Sequence, residues 1–385
     1  MRIDVDFYNE KEEQAFSGHP RAGRFQKMVR DGLTIDPLEF LANSMFMEQK
    51  LNPGWSTRDE LRARAAGRIE EFDEYFDSTD TLRARFPAAD MEYRTERAGV
   101  AAALSAMDSV FDTHSADWEK IPVSGEKDLD FRVAAVGDGL VTVEAKASIV
   151  ADPAKKEPGI SKHKKSIKDK KAAQDGNRAQ ERLLGTIVAI PTSHSESARI
   201  WLVDPPIDDL DIEPAKHRVL TRLRYYYRVI STIGTPHMLI ALSNRIRVLE
   251  SVSDWSSLDG VPLVSGQGKG FGVPISFSTG IGDMRGHTHG FVMRRKEKLV
   301  YVGIDLDAVV MVGKQSFAQV ATWESRLSGK EKRDIWVDWD TIGGLGQFET
   351  EHIVGAGPSG RQFRFTTFTN RAGTTYGEIP IREKV

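Results

Sequence analysis

Cysteine is absent from this 385-residue chain, which excludes disulfides, thiolate-built zinc sites and cysteine nucleophiles and fits a reducing compartment. Long apolar runs are missing too. No stretch approaches the about 18 uninterrupted apolar residues of a membrane-spanning helix. The first residues, with Asp4, Asp6, Glu10, Glu12 and Glu13, are too acidic for a secretory signal, so the expected setting is the cytoplasm with no membrane partner. Two common catalytic signatures, G-x-S-x-G and H-E-x-x-H, do not occur. The run Gly266-Gln-Gly-Lys-Gly-Phe-Gly272 lacks the G-x-x-x-x-G-K-[ST] spacing of a phosphate loop. What is there is ordinary globular composition, 40% hydrophobic and 28% charged, long enough for two or three domains.

The informative stretch runs from Asp130 to Lys146. Asp130-Phe-Arg-Val-Ala-Ala-Val136 and Leu140-Val-Thr-Val-Glu-Ala-Lys146 both read as strands, and Gly137-Asp138-Gly139 supplies the positive-φ positions of a tight connection. Side chains alternate along a strand, so Thr142, Glu144 and Lys146 share one face. The turn leaves the register open, but in an antiparallel hairpin closed near Asp138, Asp130 and Glu144 can be near neighbours at the open end. Two carboxylates beside a lysine suit a hard divalent cation, Mg²⁺ or Mn²⁺, that completes its shell with water and phosphate oxygens. Asp130 and Glu144 are therefore the expected ligands, with Lys146 beside an attacking water. An exposed hairpin with a cross-strand ion pair is the plain alternative.

Asp130, thirteen intervening residues, then Glu144-Ala145-Lys146 on an apolar strand resembles the PD-(D/E)xK nuclease superfamily over residues 91 to 245. Leu129 stands where that pattern carries a proline, and Asp128 is a rival to Asp130. The resemblance implies a restriction-endonuclease-like α/β fold, a mixed sheet flanked by helices, and metal-dependent phosphodiester hydrolysis in a restriction or phage-defence setting. It also implies a preceding helix that carries an acid. In 96–111 the apolar residues Val100, Leu104, Met107 and Phe111 keep one helical face, with Glu96 a turn upstream as an auxiliary acid or a helix-dipole partner. Glu92 is the alternative.

The resemblance further implies a crossover helix after Lys146. Lys155 to Arg182 holds ten Lys or Arg against four Asp or Glu in a chain of net charge −3. Neutralising phosphates supplies most non-specific nucleic-acid affinity, so Lys164, Lys168 and Lys171, at helical spacing, are expected to face nucleic acid. The resemblance also implies a helix glutamine near the site, for which Gln174 is preferred to Gln180, with Gly176 interrupting the helix between them.

Further along, 186–190, 198–203 and 237–242 read as strands, and 215–232 as a helix. Strands separated by helices favour parallel crossovers onto the hairpin. The expected organisation is a helical region at 1–88, the nuclease core at 89–250 and a β-rich domain at 251–385. In the first, Asp36-Pro37 and Thr57-Arg-Asp-Glu60 are helix-start signals. Tyr225-Tyr-Tyr227 points in three helical directions and reads as core. His287 with His289, and Asp305 with Asp307, have metal-ligand parity but read better as loop and strand-end residues. The functional expectation is a DNA nuclease, with a second copy of the chain or a defence-system protein as its partner. A non-catalytic module binding nucleic acid through the lysine-rich 155–182, or an RNA-cleaving effector, are the alternatives.

Overall fold

Arg2-Ile-Asp-Val-Asp-Phe7 alternates buried and solvent-facing side chains, the period of a half-buried strand, and it forms β1 (Arg2–Phe7). The computed structural model describes residues 1–36, 40–41, 58–87, 91–121, 130–135, 139–172, 181–203, 213–265, 273–274, 288–295, 297–329, 333–338, 348–349, 353–357 and 360–383. The protein is mixed α/β. Its backbone divides into one unit of Met1–Glu48 with Glu71–Arg218 and a second of Gln49–Glu70 with Val219–Val385. That differs from three consecutive regions: the start of the chain is part of the central sheet, and a stretch near residue 60 goes with the C-terminal half.

The first unit contains α1 (Glu10–Ser17), capped by the Asn9 side chain, then α2 (Ala22–Asp31) and β2 (Leu33–Thr34). Next come α3 (Arg58–Tyr75), directly after Thr57 and running on from the second unit, the short β3 (Phe76–Asp77) and β4 (Arg83–Ala84), and α4 (Glu92–Phe111). β5 (Glu119–Lys120), β6 (Phe131–Ala135) and β7 (Gly139–Val150) follow, then α5 (Pro158–Ala172), β8 (Glu181–Pro191) and β9 (Arg199–Val203). The sheet order is β2-β1-β9-β8-β7-β6-β5. β5, β6 and β7 are an antiparallel meander, and α5 crosses over to bring β8 parallel to β7. β9 returns antiparallel to β8, and β1 lies parallel to β9. Only residues 192–198 separate β8 from β9, too few for a helical crossover, which accounts for the antiparallel return.

Both faces of this sheet are covered. Val100, Leu104, Met107 and Phe111 of α4 are buried, as their spacing predicts. α4 approaches β7 so closely that a Cβ at Gly99 would overlap that of Ala147. On the other face Ile160 and Ile167 of α5 pack with Tyr8, Val150, Ile187, Trp201 and Val203. Fully burying each isoleucine contributes about 1.5–3 kcal/mol.

The second unit takes up α6 (Pro214–Ile230) beyond Arg218 and continues with α7 (Pro236–Ser251). α7 overturns the strand expected at 237–242: Thr235 caps it, Pro236 opens it, and Met238, Leu242, Ile246 and Leu249 form its buried stripe. Tyr225, Tyr226 and Tyr227 are all buried. Beyond come β10 (Val264–Ser265), β11 (Val273–Pro274), β12 (Thr288–Arg295), β13 (Lys298–Asp305), α8 (Leu306–Lys314) and α9 (Phe317–Thr322). β14 (Arg333–Asp338), β15 (Phe348–Glu349), β16 (Ile353–Gly357), β17 (Gly360–Thr369), β18 (Thr374–Pro380) and β19 (Arg382–Glu383) complete it. Its strands β12-β13-β18-β17-β14, with β16 also on β17, form an antiparallel sheet.

Candidate active site

β6 and β7 pair with Phe131 opposite Val143, so Asp130 sits at the mouth of the hairpin, level with Glu144. Strand parity then acts as expected. Even-numbered side chains of β7 turn toward α5 and odd-numbered ones toward α4, which brings Glu144 and Lys146 to the α5 side. The Asp130 carboxylate is fastened by the backbone N–H of Ala145, which donates to its Oδ2 at 3.1 Å. Lys146 Nζ lies 2.7 Å from Glu144 Oε1 and 3.6 Å from Asp130 Oδ2.

A second lysine completes the group. Lys170, near the end of α5, lies 2.7 Å from the same Glu144 Oε1 and 3.8 Å from Asp130 Oδ1. Oε1 is thus held by two ammonium charges, and Oε2, equally buried, has no hydrogen-bond partner. Glu144 is fully buried, while Asp130, Lys146 and Lys170 each keep about a fifth of their side chains in solvent. Burial, and after it the Asp130 charge, raises the Glu144 carboxyl against the pull of the two lysines. For Lys146 burial acts against the charge, but Glu144, Asp130 and Glu96 outweigh it and the ammonium is held above its ordinary value. Glu96 itself is exposed on α4 rather than on the buried stripe, so it acts on the group at long range.

The expected basic stripe is split. On α5 the buried positions Ile160 and Ile167 define the inner face; Lys164 and Lys168 lie on one flank, His163 and Lys170 on the other. Lys164 Nζ is 2.8 Å from Glu12 Oε1 and 3.9 Å from the Tyr8 ring centre, and Lys168 is 3.7 Å from the same Glu12 oxygen. Lys164 is therefore mostly buried and engaged within the unit, whereas Lys168 and its neighbours Lys162 and Lys165 are exposed. His163 Nε2 lies 2.9 Å from Ser148 Oγ and 3.1 Å from the Ala147 carbonyl oxygen, one step along β7 from Lys146. His163 and Lys170 were missed by sequence reasoning. Their separation of seven residues, two helical turns, was the available signal.

Asp128, Gln174, Gly176, Gln180, His287 and the Gly266–Gly272 run lie outside the described residues, as do the side chains of Lys171 and Glu92. Asp305 is not a free ligand: it caps α8, accepting from the Asp307 N–H at 2.9 Å, and takes a hydrogen bond from Ser325. Among the described residues no group of three or more His, Asp or Glu gathers as a metal site, and no helix is long and apolar enough to cross a membrane. No family model, curated protein or solved structure matches the chain.

Proposed function

We propose that this chain is a divalent-metal-dependent nuclease that hydrolyses phosphodiester bonds, with DNA as its substrate. The observation that carries the reading is the buried Glu144 carboxylate, whose Oε2 has no hydrogen-bond partner, beside Asp130 and Lys146 at the open end of a hairpin. An acid buried this completely with an oxygen unused costs folding free energy, which function explains better than stability does. The order of elements agrees with the resemblance: a helix before the hairpin, an acid entering its first strand, E-x-K on its long second strand, and a lysine-rich crossover helix after it.

The residues fit the Mg²⁺ or Mn²⁺ that the resemblance implies, because hard cations take carboxylate oxygens and one of these oxygens is otherwise unused. Asp130 and Glu144 would hold the ion. Bound there, it would supply Lewis-acid stabilisation of the phosphorane charge and lower the pKa of water. The chain's own groups do the rest. Lys146, kept protonated by Glu144 and Asp130, orients water and offsets charge that develops on the phosphate. Ala145 N–H fixes the Asp130 carboxylate, and the exposed lysines of α5 attract the polyanion. The restriction or defence setting follows from the resemblance alone.

One observation favours a second reading, a non-catalytic nucleic-acid-binding module. Two carboxylates and two lysines already form a closed set of ion pairs, and a structural network would look the same. Supercoiled plasmid with Mg²⁺ separates the two. A nuclease nicks or linearises it, and Glu144→Ala and Lys146→Ala retain binding but lose cutting. Cleavage unchanged in both variants overturns the assignment; binding without any cutting by the wild type favours the module.

A further inference from the structure

The four charged groups at the hairpin mouth sum to zero, two carboxylates against Lys146 and Lys170. Lys146 is part of the strand that carries Glu144 and moves with it. Lys170 arrives from a different element, two residues before the end of α5, on a four-carbon stem with about a fifth of its side chain in solvent. Its nitrogen makes the same 2.7 Å contact to Glu144 Oε1 as Lys146 does, and also approaches Asp130 at 3.8 Å. It therefore lies between the two carboxylates that would receive a cation, where a divalent ion and an ammonium exclude each other by charge and by volume.

We propose that Lys170 is a resident stand-in for the divalent ion. It compensates Glu144 and Asp130 while the site is metal-free, and swings out when the ion enters. This rests on the metal-dependent reading of the site. Its consequence is electrostatic. Exchange of one ammonium contact for a doubly charged ion turns a neutral pocket positive, and the displaced Lys170 is then free to meet an anion at the rim. A phosphodiester is the complementary ligand, so ion and nucleic acid bind with positive coupling. Lys170 is a positioning residue here, since it acts through the two carboxylates.

The test uses the full chain and Mn²⁺ alone, titrated calorimetrically without nucleic acid. Lys170→Gln removes the competing charge and is expected to bind Mn²⁺ about tenfold more tightly than wild type, with a larger Mn²⁺-induced rise in melting temperature. Lys170→Arg, which keeps the charge and the fold, should bind no more tightly than wild type. Lys27→Gln, a surface lysine paired with Asp31, controls for simple loss of a positive charge and should match wild type. Equal or weaker Mn²⁺ binding by Lys170→Gln overturns the proposal, as does an absence of Mn²⁺ binding in every form. Plasmid cleavage is read separately: wild type that binds Mn²⁺ more weakly than Lys170→Gln, yet never cuts, sustains the role of Lys170 and overturns the nuclease reading.

Discussion

Each unit of this protein buries a carboxylate on a long strand, and the two are treated in opposite ways. Asp305, at the end of β13, is 1% exposed, caps α8 through the Asp307 N–H and accepts from Ser325. Glu144, midway along β7, is 0% exposed, faces a second carboxylate, and leaves Oε2 without a hydrogen-bond partner. The rest of each sheet repeats the contrast. In the second unit, Gly290 and Gly303 leave room for the fully buried Tyr301 phenol, whose oxygen lies 3.1 Å from Thr288 Oγ1. In the first, the comparable space at Gly185, opposite Glu144, is filled by Ile167 of α5 and leads to charge. Satisfied neutral groups stabilise a fold. A buried, under-satisfied charge opposes folding, and its retention points to chemistry.

That contrast is broken or sharpened by substitutions on either side. The largest effect is expected for Glu144→Gln, which should lower phosphodiester cleavage by about 10³-fold, the loss of several kcal/mol of charge stabilisation. Its stability should move the other way. A carboxyl raised in the folded state contributes stability that is present below its unfolded pKa and lost as pH rises through the folded value, so at neutral pH the ionised form is a burden. The neutral isostere should raise the melting temperature by about 2–4 °C; a drop, with cleavage intact, would make Glu144 an ordinary structural acid. Asp305→Ala, in contrast, should cost about 2–3 kcal/mol in denaturant unfolding through lost capping and the stranded Ser325, and leave cleavage unchanged. Tyr301→Phe removes only one hydroxyl and should cost about 1 kcal/mol by the same measurement.

Strand parity made Glu144 and Lys146 legible because a period of two allows no ambiguity about the face. The α4 stripe at Val100, Leu104, Met107 and Phe111 was equally plain. Other parts depended on a choice of window. Taken alone, His237-Met-Leu-Ile-Ala-Leu242 is a short apolar run that fits strand or helix; only its continuation to Ile246 and Leu249 after Thr235-Pro236 decides for helix. β1 was hidden by its acids, since Asp4 and Asp6 alternate with Ile3, Val5 and Phe7 as a half-buried strand demands. Lys170 was obscured by the abundance of lysine around it. On α5 the apolar face has two flanks, and the spacing of Lys164, Lys168 and Lys171 drew the basic stripe to the flank that meets Glu12, whereas His163 and Lys170 reach β7.

His163 supplies the smallest predicted effect, and one that tests how firmly the flank beside the carboxylates is held. Burial lowers the imidazole below its usual 6.5, with Lys146 and Lys162 acting in the same sense against the Ala147 carbonyl. A group depressed on folding contributes stability that is full above its unfolded pKa and declines as pH falls through the folded one. Acidification from about pH 7.5 to about 5.5 should therefore weaken the docking of α5 on β7, by about 1 kcal/mol or less for a half-buried ring. Hydrogen exchange of the α5 amides, corrected for intrinsic rate, should show the loosening in wild type and a flat profile in His163→Gln, which keeps a polar group for Ser148 but does not titrate. Superimposable profiles would mean that Ile160 and Ile167 alone hold the helix, and that Lys170 reaches the carboxylates from a platform the histidine does not control.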